Sequence, residues 1–149
     1  MSAGGGELQA LSQQLQEVQE QIQALKGVVE NIRQEQSNVD EAISAVETLE
    51  TDSTVQVPLG GGAYVRATIQ DIDEVIVELG ADYAAEFERE GAVDVLENKK
   101  DRLDERVEEV TERIAELETE SSQLEQQAQQ LQQQALQQQL GGMQGERDE

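Results

Sequence analysis

Two stretches of apolar residues spaced alternately three and four apart, one toward each end of the chain, constrain the fold most. The first carries Leu8, Leu11, Leu15, Val18, Ile22, Leu25, Val29, Ile32, Gln36, Val39, Ile43 and Val46. The second carries Val93, Leu96, Lys100, Leu103, Val107, Val110, Ile114, Leu117, Ser121, Leu124, Ala128 and Leu131. This spacing puts one stripe on each of two helices, the pattern of a coiled-coil seam. Folding the chain back on itself pairs Val46 with Val93, Ile43 with Leu96, Val39 with Lys100, and so on to Leu8 with Leu131. Each pair joins an a-type to a d-type position, as antiparallel helices require. A slip of one heptad also matches, so the hairpin is the firmer expectation and the register the finer one. The fold class expected is mainly α with a small β part: a long antiparallel two-helix coiled coil. The paired length is roughly 40 residues, about 60 Å at 1.5 Å per residue.

The 149 residues form a single unit with a seam but no thick interior, so partners are expected to cover much of its remaining apolar surface. Thirty-three acidic residues against ten basic ones give a net charge of −23. That balance argues against a nucleic-acid partner, whose phosphates are held by Lys and Arg. Lysine occurs only at positions 26, 99 and 100. Such acidity with so little Lys is expected of a halophilic protein, since salt screens self-repulsion and a hydrated carboxylate surface keeps the chain dissolved. With no Cys and no His, thiolate chemistry, disulfides, the usual general base and the commonest metal ligand are all missing. No apolar run approaches the ~18 residues of a membrane span, and the N-terminus shows no signal-peptide core. The expectation is a cytoplasmic protein that is not an enzyme, binds no membrane and needs no cofactor or metal.

Helix is expected over residues 7–50, after a Gly-rich start, and stops at Thr51-Asp52-Ser53-Thr54, whose side chains compete for backbone hydrogen bonds. Gly27 is out of place inside it, at a cost of roughly 1 kcal/mol relative to Ala. The period then falls to two. Val55, Val57 and Leu59 alternate, Gly60-Gly61-Gly62 reverses the chain, and Ala63, Val65, Ala67 and Ile69 alternate on the return. Val75, Val77 and Leu79, a turn at Gly80-Ala81-Asp82, and Tyr83, Ala85 and Phe87 repeat the pattern. Residues 54–88 therefore hold two β-hairpins. Pro58 sits at a strand end, where a missing N–H is tolerated. A second helix is expected over 91–140, including a stretch from Gln123 to Gln139 with eleven Gln in seventeen residues, and a disordered tail over 141–149.

No motif carries catalysis. The triple glycine joins strand to strand, whereas a phosphate loop runs from a strand into a helix and is followed by Lys. Asp71-Ile72-Asp73-Glu74 lacks the spacing of a calcium loop and is read as the solvated turn between the hairpins. Gln36, Lys100 and Ser121 lie at seam positions, where polar groups lower stability and restrict register. Lys100, opposite Val39, can pack its stem while its ammonium reaches a flanking carboxylate. Toward the free ends the seam uses Leu8, Leu11 and Leu15 against Leu124, Ala128 and Leu131, a looser set. Leu136 and Leu140 lie beyond the last layer with no evident partner. Burying either would be worth roughly 1.5–3 kcal/mol. A mobile apolar end on a charged stalk suits weak, promiscuous capture of nonnative chains.

The order helix, two β-hairpins, helix, with TVQVPLGGGAYVRATI and DEVIVELGADYAAEFER between the arms, resembles the alpha subunits of archaeal prefoldin over about Glu7 to Leu140, and the acidity resembles a haloarchaeal version. Beta-type subunits of that family have one hairpin where alpha-type subunits have two. The resemblance implies an ATP-independent chaperone subunit. Two alpha and four beta subunits would join through their hairpins into a hetero-hexamer with a β-barrel platform, and coiled-coil tips would grip unfolded clients and pass them to a group II chaperonin. On that basis Val55, Val57, Val65, Ile69, Val75 and Val77 are expected in the oligomerisation platform, and Leu8, Leu11, Leu15, Leu131, Leu136 and Leu140 at the client-binding tips. The alternative is a structural coiled-coil adaptor that binds one dedicated folded partner. Independently of the family, isolated hairpins are marginal in water and their open edges call for further strands.

Overall fold

A computed structural model describes the backbone of residues 2–147 and the side chains of residues 6–141. The order of elements is α1 (Ser2–Thr48), β1 (Thr54–Gly60), β2 (Ala63–Thr68), β3 (Val75–Gly80), β4 (Tyr83–Phe87) and α2 (Arg89–Arg147). Two long helices flank two antiparallel hairpins, as the change of period from three-and-a-half to two and back dictates. The chain divides into a terminal unit, residues 1–30 with 108–149, and a central unit, residues 31–107.

In the terminal unit the stripes of α1 and α2 meet. Val18, Ile22, Ile114 and Leu117 form a buried cluster, and Leu25, Val29, Val110 and Leu124 pack around it. Leu117 is the most enclosed, at 2% exposed. The helices run antiparallel: Lys26 lies 3.9 Å from Glu118, while Leu11, earlier in α1, lines a groove with Leu131, later in α2.

In the central unit Val39, Val77, Ala92 and Leu96 form a second cluster, joined by Ala42, Ile43, Val46, Val75, Phe87, Val95 and Leu103. Here the seam is flanked by cations from both helices. Lys100 Nζ reaches Asp40 at 2.8 Å, Lys99 reaches Glu35 at 3.6 Å, and Arg33 reaches Asp104 at 3.6 Å. Asp40 follows Val39, so the proposed pairing of Val39 with Lys100 holds, and a heptad slip would carry these groups about 10 Å apart. Gln36, buried at the seam, donates its Nε2–H to Asp104 and accepts from Arg33 Nη1 at 3.0 Å, so the polar seam residue keeps partners on both helices. Lys100 is held above the usual lysine range because Asp40 accepts its hydrogen bond and adds an opposite charge.

Both hairpins turn through residues with positive φ. Gly61 and Gly62 have φ of 59° and 82°, values that glycine adopts freely. The second turn puts Ala81 at 52° and Asp82 at 64°. Alanine in that region costs roughly 1–2 kcal/mol, a strain the surrounding strand pairs hold in place. The register pairs Val55 with Ala67 and Val57 with Val65 in the first hairpin, and Val75 with Phe87 and Val77 with Ala85 in the second. The strands form two separate two-stranded sheets.

The helices run further than their seams. Residues Ser2–Gly6 belong to α1, and the tail expected to be disordered over 141–149 is helical as far as Arg147, the last two residues lying outside the described ones. Glycine lowers helix propensity but is not barred from helical φ and ψ, and adding a turn to an existing helix is far easier than starting one. α2 also begins two residues before the expected Gly91.

Gly27 lies inside α1, and a Cβ built there meets nothing within 4 Å. Gly27→Ala should therefore raise stability by about 0.5–1 kcal/mol, read as an upward shift of the circular-dichroism melt. Lys100 offers a pH test. Its proton is held more tightly folded than unfolded, so its contribution is complete below the ordinary lysine pKa and is lost as pH rises through the raised one. In melts above about pH 10, Asp40→Asn should flatten the alkaline fall in melting temperature seen for the parent chain. An unchanged alkaline slope would show that the pair does not set it.

Candidate interaction surfaces

Two surfaces combine exposed apolar groups with a fixed frame. The first is on the central unit. One face of the β1–β2 hairpin carries Val55, Val57, Val65 and Ala67, because paired residues of an antiparallel ladder share a face. Val55 and Ala67 are half-buried, but Val57 and Val65 are 40% and 46% exposed, and Leu59 near the turn is more so. Ile69 follows β2 and is half-buried; its N–H donates to the Ser53 carbonyl. The β3–β4 hairpin behaves differently. Val75 and Val77 share the face that covers the helices, and Val77 is 6% exposed within the cluster of Val39, Ala92 and Leu96. Val77 is thus a core residue within this chain, and Val75 packs beside it. Alternation shows that two residues share a face but not what covers it. The outward face of this hairpin instead exposes Ile76, at 72%. Tyr64 and Tyr83 are 62% and 74% exposed.

The hairpins are anchored to the helices by a polar clasp. Arg89, first residue of α2, donates from Nη2 to the carbonyl of Leu49, just past the end of α1, and lies 3.4 Å from Glu50. The last turn of α1 has no basic residue of its own, so this guanidinium supplies the positive charge that a helix C-terminus favours. Asp73 Oδ1 accepts the Arg89 N–H at 3.3 Å, capping the start of α2. Asp71 Oδ1 accepts the Asp73 N–H at 3.0 Å, and Thr51 Oγ1 accepts the Ile72 N–H at 3.1 Å. The acidic cluster read as a solvated turn is therefore also a capping device. Among the described residues no group of three or more His, Cys, Asp or Glu is placed to hold a metal ion, and no helix is long and apolar enough to cross a membrane.

The second surface is on the terminal unit. Leu8, Leu11, Leu15 and Leu131 are half-buried, and Leu136 and Leu140 are 58% and 60% exposed. The sequence candidates thus fall into four leucines partly enclosed and two left open to water. Between α1 and α2 runs a groove of about 420 Å³ lined by the apolar Ala10, Leu11 and Leu131 together with Gln14, Gln127, Gln130, Gln134 and Glu7. The glutamines were legible as helix formers but not as groove walls, since a repetitive Gln tract gives no hint of which of its members flank the seam.

Comparison with known proteins follows this geometry. Residues 18–134 match the family model "Prefoldin subunit". Among curated proteins, prefoldin subunit alpha of Halorubrum lacusprofundi is 58% identical over 101 residues, 68% of this chain and 66% of that protein. The subunit alpha of Haloarcula marismortui is 51% identical over 64% of this chain and 62% of that protein. That of Methanosarcina mazei is 32% identical over 64% of this chain and 72% of that protein. The chain thus spans just under two thirds of the length of the two haloarchaeal relatives. A chain in the cryo-EM structure of filamentous PFD from Methanocaldococcus jannaschii aligns with a TM-score of 0.52 and 26% identity, over 78% of this chain and 93% of that one.

The seam leucine Leu117 and the open pair Leu136 and Leu140 should separate in stability measurements. Leu117→Ala, which opens a cavity in the terminal cluster, should cost about 2–4 kcal/mol. Leu136→Ser with Leu140→Ser should shift stability by no more than about 0.5 kcal/mol per site, as read from chemical denaturation.

Proposed function

The chain belongs to the prefoldin family, and from that membership we propose that it is the alpha-type subunit of an ATP-independent chaperone in a halophilic cell. It captures unfolded polypeptide at the free ends of its helices and passes it to a group II chaperonin. The observation that carries this reading is the pair Leu136 and Leu140, exposed on a helix whose seam side is elsewhere covered, beside an open groove floored by Leu11 and Leu131. Apolar side chains held in water on a stable helix favour any partner that buries them, and need no particular partner shape. Each such contact is weak. Several arms acting on one client would raise the overall affinity through effective concentration.

Assembly is assigned to the central unit. The exposed Val57 and Val65 face and the open edges of two two-stranded sheets are left for other subunits to complete, with Val55 and Ile69 at the margin. Two copies of this chain with four beta-type subunits is the composition proposed. The reading implies no cofactor, since apolar capture is driven by burial and released by competition.

Two measurements test the proposal. Light scattering coupled to size exclusion in high salt, on the complex purified through this chain, should give two copies with four of a smaller helical subunit. A one-to-one complex with a folded partner would favour the adaptor reading. The triple substitution Leu131→Ser, Leu136→Ser and Leu140→Ser should weaken suppression of client aggregation several-fold while the mass of the complex stays the same. Undiminished suppression would remove the ends of the helices from the mechanism.

A further inference from the structure

The ends that carry the groove are electrically silent in a chain that otherwise is not. Charged residues make up 29% of the sequence, and the net charge is −23. Yet no charged residue occurs from Gln126 to Gly145, and none from Leu8 to Gln16. The two silent stretches are the ones that face each other across the groove, where Glu7 is the single ionisable residue of the lining. Around the apolar floor stand Gln14, Gln127, Gln130 and Gln134. A carboxamide offers two N–H donors and a carbonyl acceptor, so this ring can meet carboxylates, backbone carbonyls and backbone N–H groups alike. Glutamate, nearly the same size, offers acceptors only and would repel a carboxylate.

We infer that the glutamine-walled groove is a binding site for acidic unfolded polypeptide, its carboxamides donating hydrogen bonds to the carboxylates and main-chain carbonyls of segments that the rest of this acidic surface would repel. The inference rests on the capture reading above and names the chemical class of polypeptide the site takes. The contrast between a groove with one ionisable residue and the acidic remainder of the chain selects this occupant. A basic segment would find more favourable partners anywhere on the carboxylate-rich remainder of α1 and α2, and would gain nothing from a neutral end. An acidic segment has only the neutral end to approach. In concentrated salt the screening length falls to about 3 Å or less, so only groups in contact with the client matter and the distinction is made by hydrogen-bond donors rather than by long-range field.

The test uses the full chain in about 2 M potassium chloride, where contact groups dominate, and three synthetic unfolded peptides. These share the same apolar residues and carry Glu, Gln or Lys at the remaining positions. Affinity is read by fluorescence anisotropy for the parent chain and two variants. One changes the groove wall, Gln127→Glu, Gln130→Glu and Gln134→Glu. The other places the same three charges on α2 residues that do not line the groove, Gln126→Glu, Gln129→Glu and Gln133→Glu. The parent should bind the Glu peptide at least as well as the Gln peptide. The groove variant should lose roughly tenfold for the Glu peptide, as expected for a few lost hydrogen bonds, and keep the Lys peptide. The second variant should bind all three as the parent does. Equal losses in both variants, or a groove variant that does not discriminate, would overturn the inference while leaving apolar capture intact. Failure of the parent to bind any of the peptides would remove the capture reading itself. Self-association of the parent that disappears in the groove variant would give the groove to a second copy of this chain and overturn the inference as well.

Discussion

The structure depends on one narrow seam. A chain with a net charge of −23 gains its order by burying a single apolar stripe on each of two helices, with Val18, Ile22, Ile114 and Leu117 at its heart in the terminal unit and Val39, Ala92 and Leu96 in the central one. A seam of this kind has little depth: outside the patch that the β3–β4 hairpin covers, residues that do not face the other helix face water. Stability per layer is therefore modest and must accumulate over length, which explains helices of 47 and 59 residues. It also explains why polar seam residues are so well provided with partners. Gln36 is tied to Asp104 on the other helix and to Arg33 on its own, so the layer that lacks an apolar side chain still has a single best alignment.

The few cations are placed where they decide register. Of ten Lys and Arg residues, Lys26, Arg33, Lys99 and Lys100 each approach a carboxylate of the other helix. Exposed pairs of this sort contribute at most about 1 kcal/mol each, and less in salt, so they are not what holds the helices together. Their effect is comparative. An alignment shifted by a heptad would retain apolar packing but would leave these cations opposite other groups and move Gln36 away from Asp104. Arg89 acts in the same way at the junction, where its contacts with Leu49 and Glu50 fix how one helix ends and the next begins.

What the sequence revealed follows from what is periodic. The seam and both hairpins were legible because repeating spacings of three-and-a-half and two translate directly into faces, and the glycine turns mark where each strand reverses. The register was narrowed but not settled by spacing, since a heptad repeat matches itself after seven residues; Lys100 with Asp40 breaks that tie. The burial of Val77 was not legible for a related reason. Val55, Val57, Val75 and Val77 alternate identically, yet the first hairpin leaves its valine face open while the second lays its own on Val39 and Leu96. Only the path of the chain distinguishes them. The Arg89 clasp and the Asp73 cap left no trace in the pattern, because they join residues 16 to 40 positions apart that belong to no repeat.

The same two-sidedness organises function. A core built along a narrow seam leaves much of the apolar surface of this chain open to partners. The hairpins expose an apolar face and unpaired edges, which favour a few defined neighbours because strand pairing fixes distance and direction. The helix ends expose leucines and carboxamides, which favour many neighbours because burial has no direction and a carboxamide both donates and accepts. On the proposed reading, specific and indiscriminate association are thus kept on different elements of one chain. On that reading the division follows from charge, because the rest of the α1 and α2 sequences is dense in carboxylates, which disfavour an acidic unfolded chain. On the proposed reading, neutrality at the ends is as much a structural feature as the seam, since the contrast with the remaining surface would direct a nonnative chain there.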